Sequence, residues 1–312
     1  MLARRRTSCY RIVVGAVSRQ IEDLRRERGT LLMGVLNVTP DSFFDGGRYD
    51  GEASAAEHID QLVRDGADLI DIGAESTRPG AAPIPPSEQI ARLGLALRHA
   101  LAHPAQPLVS VDTTSPEVAH YALGLGAHLI NDVSCLADAG LAKACAEHQA
   151  ALIIMHARGP AASMAGFSVY PDDGYTDVIE DVRREWRGAR ERALAAGMPA
   201  EDVYFDPGIG FAKNAQQSYA LLAHLASYQS EGLIVVGPSR KSFIAAVDGA
   251  PPEQRLGGSV AASLLAAARG AAIVRVHDVR EVRQALRVSA RIENAERVSG
   301  AAGPSGARAH AG

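Results

Sequence analysis

Gly66-Ala67-Asp68-Leu69-Ile70-Asp71 returns later in the chain as Gly126-Ala127-His128-Leu129-Ile130-Asn131 and again as Gly270-Ala271-Ala272-Ile273-Val274-Arg275. Each copy runs glycine, alanine, a variable residue, two apolar residues and a polar residue. Glycine accepts the left-handed backbone in which many helices end, so each copy reads as a helix stop followed at once by a short strand. Upstream of the first copy, Ile59, Leu62 and Val63 fall three and four residues apart, the spacing of one helix face. Upstream of the second, Ser115 is placed to cap a helix opening at Pro116, where the missing N–H costs little. The repeating unit is helix, turn, strand.

Working outward from these copies, the apolar runs 31–36, 69–72, 108–111, 129–130, 151–154, 203–205, 233–236 and 271–274 make eight strands. They recur about every 35 residues, with room for the helix that a parallel pair requires. Both faces of each run are apolar, as expected of strands covered by helices on one side and by a core on the other. Nearly every run ends in polar residues. That is the pattern of a (β/α)8 TIM barrel, where the loops after the strands carry the chemistry. A doubly wound sheet would gather its ligand groups at one switch point, whereas here they follow every strand.

We therefore expect an α/β chain with a single barrel over 29–292, a short N-terminal extension over 1–28 and a flexible C-terminal tail over 293–312. Within the extension, 10–17 is expected as a short lid strand at the barrel bottom. The Ala-, Gly- and Ser-rich stretch 299–312 is expected to be disordered. The segment 158–177 is a long, helix-poor connection of the kind that usually serves function.

Composition excludes several classes. The 312 residues carry 32 Lys and Arg against 36 Asp and Glu, a net charge of -4 that offers nothing to nucleic acid. No apolar stretch approaches the roughly 18 residues needed to span a bilayer. Arg11 and Arg19 interrupt any secretory signal core. Cys9, Cys135 and Cys145 form neither a disulfide framework nor a zinc motif. A cytoplasmic location is the expectation. No P-loop is present, and Gly208-Ile209-Gly210-Phe211-Ala212-Lys213 has lysine where a dinucleotide fingerprint needs its third glycine. No GxSxG elbow or serine triad occurs either.

The strand ends supply two sets of groups. Asp112, Asn131 and Asp206 offer acceptors, Lys241 a cation and Met155 a flat polarizable surface; together they suit a planar heterocycle bearing N–H donors and a carbonyl, such as a pterin or purine. Asn37, Thr77, Arg275 and His277 suit a diphosphate. Arg275 and His277, two apart on extended chain, face the same way, on the side of the barrel that usually holds phosphate. Asn37 can offer an amide oxygen to Mg²⁺, which typically rides on substrate phosphates. The loops Asp45-Gly46-Gly47-Arg48-Tyr49 and Arg78-Pro79-Gly80-Ala81-Ala82-Pro83 leave the same mouth and can close over it.

At these residues the chain resembles the dihydropteroate synthases of folate biosynthesis. The resemblance rests on Asn37-Val38-Thr39-Pro40-Asp41-Ser42-Phe43-Phe44, Glu75-Ser76-Thr77-Arg78-Pro79-Gly80, Asp206-Pro207-Gly208-Ile209-Gly210-Phe211, Ser239-Arg240-Lys241-Ser242-Phe243 and Arg275-Val276-His277-Asp278. It covers residues 31–286. It implies transfer of a pterinylmethyl group from (7,8-dihydropterin-6-yl)methyl diphosphate to 4-aminobenzoate, with Mg²⁺, no redox cofactor and a homodimer. It assigns the pterin to Asp112, Asn131, Asp206 and Lys241 with Met155 beside the ring. The diphosphate falls to Asn37, Thr77, Arg275 and His277, with Asn37 on the metal. Phe43, Pro79, Phe211 and Ser242 form the aminobenzoate pocket, and Asp206, Lys241, Arg275, His277 and Arg78 carry the catalysis. Ala212 and Ala157 depart from the common pattern, as do Pro238 and Ala245. A corrinoid-dependent pterin methyltransferase would lack the Ser-Thr-Arg-Pro-Gly and Ser-Arg-Lys-Ser-Phe segments. An inactive paralogue would be expected to lose diphosphate or loop residues that this chain keeps.

Overall fold

Eight parallel strands alternate with helices in the computed structural model, which describes residues 15–38, 50–75, 84–159 and 168–301. The strands are β1 (Leu31–Asn37), β2 (Leu69–Gly73), β3 (Leu108–Asp112), β4 (Leu129–Asp132), β5 (Ala151–Met155), β6 (Val203–Asp206), β7 (Val235–Val236) and β8 (Ile273–Val276). They hydrogen-bond in the order β6-β5-β4-β3-β2-β1-β8-β7. A bridge between Phe205 and Ile234, with Phe205 N donating to the Leu233 carbonyl at 2.9 Å, joins β6 to β7 and closes the cylinder. The barrel expected from the repeated motif is the barrel observed.

The glycines of that motif do what the reading required: Gly66, Gly126 and Gly270 sit at φ +97, +107 and +94, a region L side chains adopt only at a cost. Ser115 Oγ accepts from Val118 N at the start of α4 (Pro116–Gly124). In α2 (Asp50–Arg64), Ile59 and Leu62 are fully or almost fully buried against the sheet.

Alternation along the strands makes two cores. Outward positions such as Ile70, Ile72, Val109, Val111 and Phe205 pack against the helices. Inward positions Leu31, Met33, Leu69, Leu108, Leu129, Ile153, Tyr204, Val235 and Ile273 fill the lower barrel. Two residues further along the same inward faces, Asp71, Ser110, Asn131, Asp206 and Arg275 make the lining polar, and the site begins there.

Among the described residues the bottom is closed by a helix, α1 (Ala16–Arg28). This corrects the lid strand expected over 10–17 as far as it is described; residues 10–14 lie outside the described residues. Val17, Ile21 and Leu24 recur every three to four residues and dock on the inner core, so the helical period won over the local apolar run. Ser18 Oγ bonds the Glu201 carbonyl (3.1 Å), the Tyr204 hydroxyl (2.7 Å) and Asp202. At the other end of the chain, α10 (Val279–Ala301) continues past the tail boundary drawn at 292. Of the stretch 299–312 expected to be disordered, 299–301 fall in this helix and 302–312 lie outside the described residues. No helix among the described residues is long and apolar enough to cross a membrane.

Candidate active site at the barrel mouth

Register brings the polar strand ends to one level. Gly73 is aligned with Asp112, Asp112 with Asn131, and Met155 with Asp206. Around this ring the described site residues converge: Asn37 open to solvent at the end of β1, Asp112 on β3, Asn131 on β4, Met155 on β5, Asp206 on β6, and Arg275 on β8. Thr77, Arg78, Pro79 and Phe43 lie outside the described residues.

The two ligand sets drawn from the sequence are not separate in space. Arg275 Nε donates to Asp71 Oδ2 at 2.6 Å and its Nη2 to Asp112 Oδ2 at 3.2 Å. Asn131 Nδ2 reaches the same Asp71 Oδ2 at 3.1 Å. An arginine assigned to the anion and an aspartate assigned to the ring are thus ion-paired. Burial pushes Asp112 up to about 7, Arg275 pulls it back and the Asp71 charge pushes it further. Asp71 went unassigned in the sequence, although an aspartate in the run Leu69-Ile70-Asp71-Ile72, on the same face as Leu69, is a visible signal of an inward charge.

Lys241 enters from the loop after β7. Arg240 before it is held at φ +58, a strained backbone for a side chain, by Ser259 Oγ on its N–H (2.9 Å) and an ion pair to Asp278. Its carbonyl accepts from Arg255 Nη1 at 2.8 Å. Arg240 and Asp278 therefore brace the loop, and the brace turns Lys241 inward. Lys241 Nζ donates to the Ile209 carbonyl at 2.6 Å and lies 4.6 Å from the Phe211 ring centre. Burial lowers Lys241 to about 8, opposed by the Asp206 charge. Burial raises Asp206 in turn, opposed first by Lys241. A Cβ at Gly237 would touch the Arg275 stem (3.7 Å) and Lys241 Nζ (3.8 Å) at ordinary van der Waals distance, so the two cations approach the β7 backbone closely.

The segment Asp206-Pro207-Gly208 is a tight turn, with Gly208 N donating to Asp206 Oδ1 at 2.7 Å. Beneath it Lys213 is wholly buried and contacts His156 Nδ1 (2.9 Å), the His156 carbonyl (3.3 Å) and the Phe211 carbonyl (3.0 Å). Burial lowers Lys213 to about 7. His156 Nε2 reaches Glu185 at 3.0 Å, which Arg158 also holds. Sequence reading treated Lys213 only as a departure from a dinucleotide motif; it is the floor of the turn. Ala212, where glycine is more usual in the family resembled, adopts φ +46, which explains why glycine suits that position.

His277 stands exposed at the rim, its N–H and Nδ1 facing Ser239 Oγ at 3.3 and 3.2 Å. Crowding by surrounding protein and then Arg275 and Arg240 lower its pKa, favouring the neutral ring when no anion is bound. Ser242 opens α8 (Ser242–Asp248) and donates to Ser168 Oγ at 2.8 Å. Among the described residues no three His, Cys, Asp or Glu side chains gather to hold a metal. Asn37 is a single neutral oxygen donor. Such a donor set fits a cation carried mainly by substrate phosphates.

Fold and mouth together define a barrel enzyme that grips a flat nitrogen heterocycle beside an anion. The pterin-binding enzyme family matches residues 33–277. The dihydropteroate synthase of Escherichia coli K12 is 40% identical over 258 residues, spanning 82% of this chain and 89% of that protein. The one from Bacillus subtilis is 37% identical across 81% and 85%. Among solved structures, the Xanthomonas albilineans dihydropteroate synthase with 4-aminobenzoic acid superposes with a TM-score of 0.77 at 40% identity, covering 85% of this chain and 93% of that one. The Burkholderia cenocepacia dihydropteroate synthase complexed with 7,8-dihydropteroate gives 0.75 at 39%, covering 86% and 93%. The chain belongs to the pterin-binding enzyme family, among its dihydropteroate synthases.

Proposed function

We propose that the mouth joins (7,8-dihydropterin-6-yl)methyl diphosphate to 4-aminobenzoate, forming 7,8-dihydropteroate and pyrophosphate. The observation that carries this reading is the junction at Arg275, where acceptors for a ring (Asp112, Asn131, Asp206) abut cations for an anion. The ring's N–H edge lies against these acceptors with Met155 beneath, and Lys241 donates to its carbonyl side. Arg275 and His277 hold the diphosphate, with Thr77 and Arg78 from the adjoining loop. Asn37 would hold Mg²⁺, which supplies charge neutralisation on the departing oxygens.

The methylene C–O bond breaks and its electron pair leaves with the diphosphate. The positive charge left on the methylene carbon is shared by the electron-rich ring, and the Asp206 carboxylate stabilises it. The arylamine nitrogen then forms the new C–N bond and releases its proton to solvent. No covalent nucleophile on the protein is needed, so fixed charge is the main contribution of the chain. Phe43, Pro79, Phe211 and Ser242 would seat the aminobenzoate. Purified protein is expected to release pyrophosphate only when both substrates and Mg²⁺ are supplied. No release with all three supplied refutes the reaction.

A homodimer is part of the same proposal, with the cytoplasm as its location, consistent with the unbridged thiols of Cys135 and Cys145. Support for the dimer comes from exposed apolar side chains on neighbouring helices: Val247 on α8, and Leu256 and Leu265 on α9 (Leu256–Ala268). They flank a groove lined by Tyr219, Phe243 and Ile244. Light scattering should give twice the chain mass, falling to a single chain in Leu265→Glu; a monomer at the outset removes the proposal.

A further inference from the structure

Asp71 is a charge in the middle of an apolar strand, with no exposed surface. Burying a carboxylate is costly unless its partners are well placed, so what it holds matters. All its hydrogen bonds run through Oδ2, which accepts from Asn131 Nδ2 (3.1 Å) and Arg275 Nε (2.6 Å); Oδ1 has no partner among the described residues. These partners lie 60 and 204 positions along the chain.

The orientation of Asn131 follows from this pairing. The Arg275 guanidinium can only donate, so Asp71 Oδ2, 2.6 Å from its Nε, is an acceptor. The amide branch that Asn131 turns toward it must therefore be the NH2, and the carbonyl oxygen is the branch left over. The Asn131 side chain makes no other hydrogen bond among the described residues, and the residue is 4% exposed. An asparagine on its own can offer a ligand either a donor or an acceptor. Here the choice has been removed.

We propose that Asp71 is a positioning residue that sets ligand specificity: by occupying the Asn131 NH2 and the Arg275 Nε together, it leaves Asn131 only its carbonyl oxygen for the ring and turns the guanidinium fork to Asp112. With Asp112 and Asp206, the mouth then presents acceptors alone along this wall. It takes a heteroaromatic edge carrying N–H donors and rejects an edge with a ring-nitrogen lone pair at the Asn131 position. This inference rests on the pterin reading above and extends it to a residue that would not touch the ligand.

The test exchanges donor and acceptor across one bond. Calorimetry would measure the binding of (7,8-dihydropterin-6-yl)methyl diphosphate to the unaltered chain, to Asp71→Asn, to Asn131→Asp and to the double variant Asp71→Asn/Asn131→Asp. Each single variant is expected to weaken binding about thirtyfold, the loss of one charge-assisted hydrogen bond. The double variant, with net charge unchanged and the bond reversed, should recover to within about fivefold of the unaltered chain. A purely structural role for Asp71 would leave the double variant as weak as the singles, and that result overturns the inference. Wild-type affinity in Asp71→Asn overturns it also. Failure of the unaltered chain to bind the pterin diphosphate brings down the pterin reading, and this inference with it. Should Asp71→Asn not fold, the side-chain NH2 of Asn131 in the unaltered protein can be followed by NMR. Slow hydrogen exchange without ligand is expected, and exchange as fast as a solvent-exposed amide overturns the assignment.

Discussion

Arg275→Met is expected to lower kcat/KM for pyrophosphate release by roughly a thousandfold, the scale seen when one preorganised charge is removed from a developing oxyanion. The same substitution strips a shared cation from two buried carboxylates, Asp71 and Asp112. Breaking a buried pair by removing one partner costs about 3 to 5 kcal/mol, because the charge left behind is uncompensated. Asp112, already pushed up to about 7 with Arg275 opposing the rise, would be driven higher and hold its proton at neutral pH. A protonated Asp112 would present a donor where the ring needs an acceptor. Turnover and pterin affinity should therefore fall together, and urea denaturation should show the lost stability. Arg275→Lys restores the charge but not the two-pronged geometry, so it should recover only a fraction of the activity. A kcat/KM for Arg275→Met within tenfold of the unaltered chain would mean that the diphosphate is neutralised elsewhere.

The second large effect is expected at Gly208. A Cβ placed there would lie 1.9 Å from the His156 carbonyl oxygen and 3.3 Å from Lys213 Nζ, and the residue sits at φ +69. The first obstacle is backbone, which cannot swing away. Gly208→Ala must displace the turn that carries Asp206 and open the buried contacts of Lys213, so a loss of roughly 3 kcal/mol or more is expected. Gly249→Ala is the control. Gly249 has φ +74 but nothing within 4 Å of an added Cβ, so only the backbone penalty of about 1 kcal/mol should appear. Equal midpoints for the two variants in urea would show that the turn is free to relax, and that Lys213 does not brace it.

Much of this site was legible because barrel strands deliver their last inward residue to the mouth. Asp112, Asn131, Asp206 and Arg275 each end a strand run, so locating the strands located the residues. Lys241 and His277 follow strand ends within segments that the family resemblance named. Less was legible wherever a residue acts through a neighbour far along the chain. Arg240 has no assigned role in the segment Ser239-Arg240-Lys241-Ser242, yet its ion pair to Asp278 holds a strained turn. Lys213 reads only as lysine in place of a dinucleotide motif's third glycine, yet it is buried under the Asp206 turn. The segment 10–17 carries an apolar run that suits a strand, but the helix opening at Ala16 takes its register from Val17, Ile21 and Leu24, which need the barrel floor to dock on.

By itself, the amino-acid sequence determined the barrel. Repeated glycine-alanine-strand units, apolar runs and polar terminations are local patterns, and local patterns impose backbone geometry wherever they occur. Only the tertiary structure decided which charges meet. Asp71 and Arg275 are 204 residues apart, and nothing in either neighbourhood names the other. Period-two alternation says that a strand residue points inward, but closure of the cylinder and its register decide what it finds there. That contact joins the ring wall to the anion wall, and it turned two sets of ligands into one site.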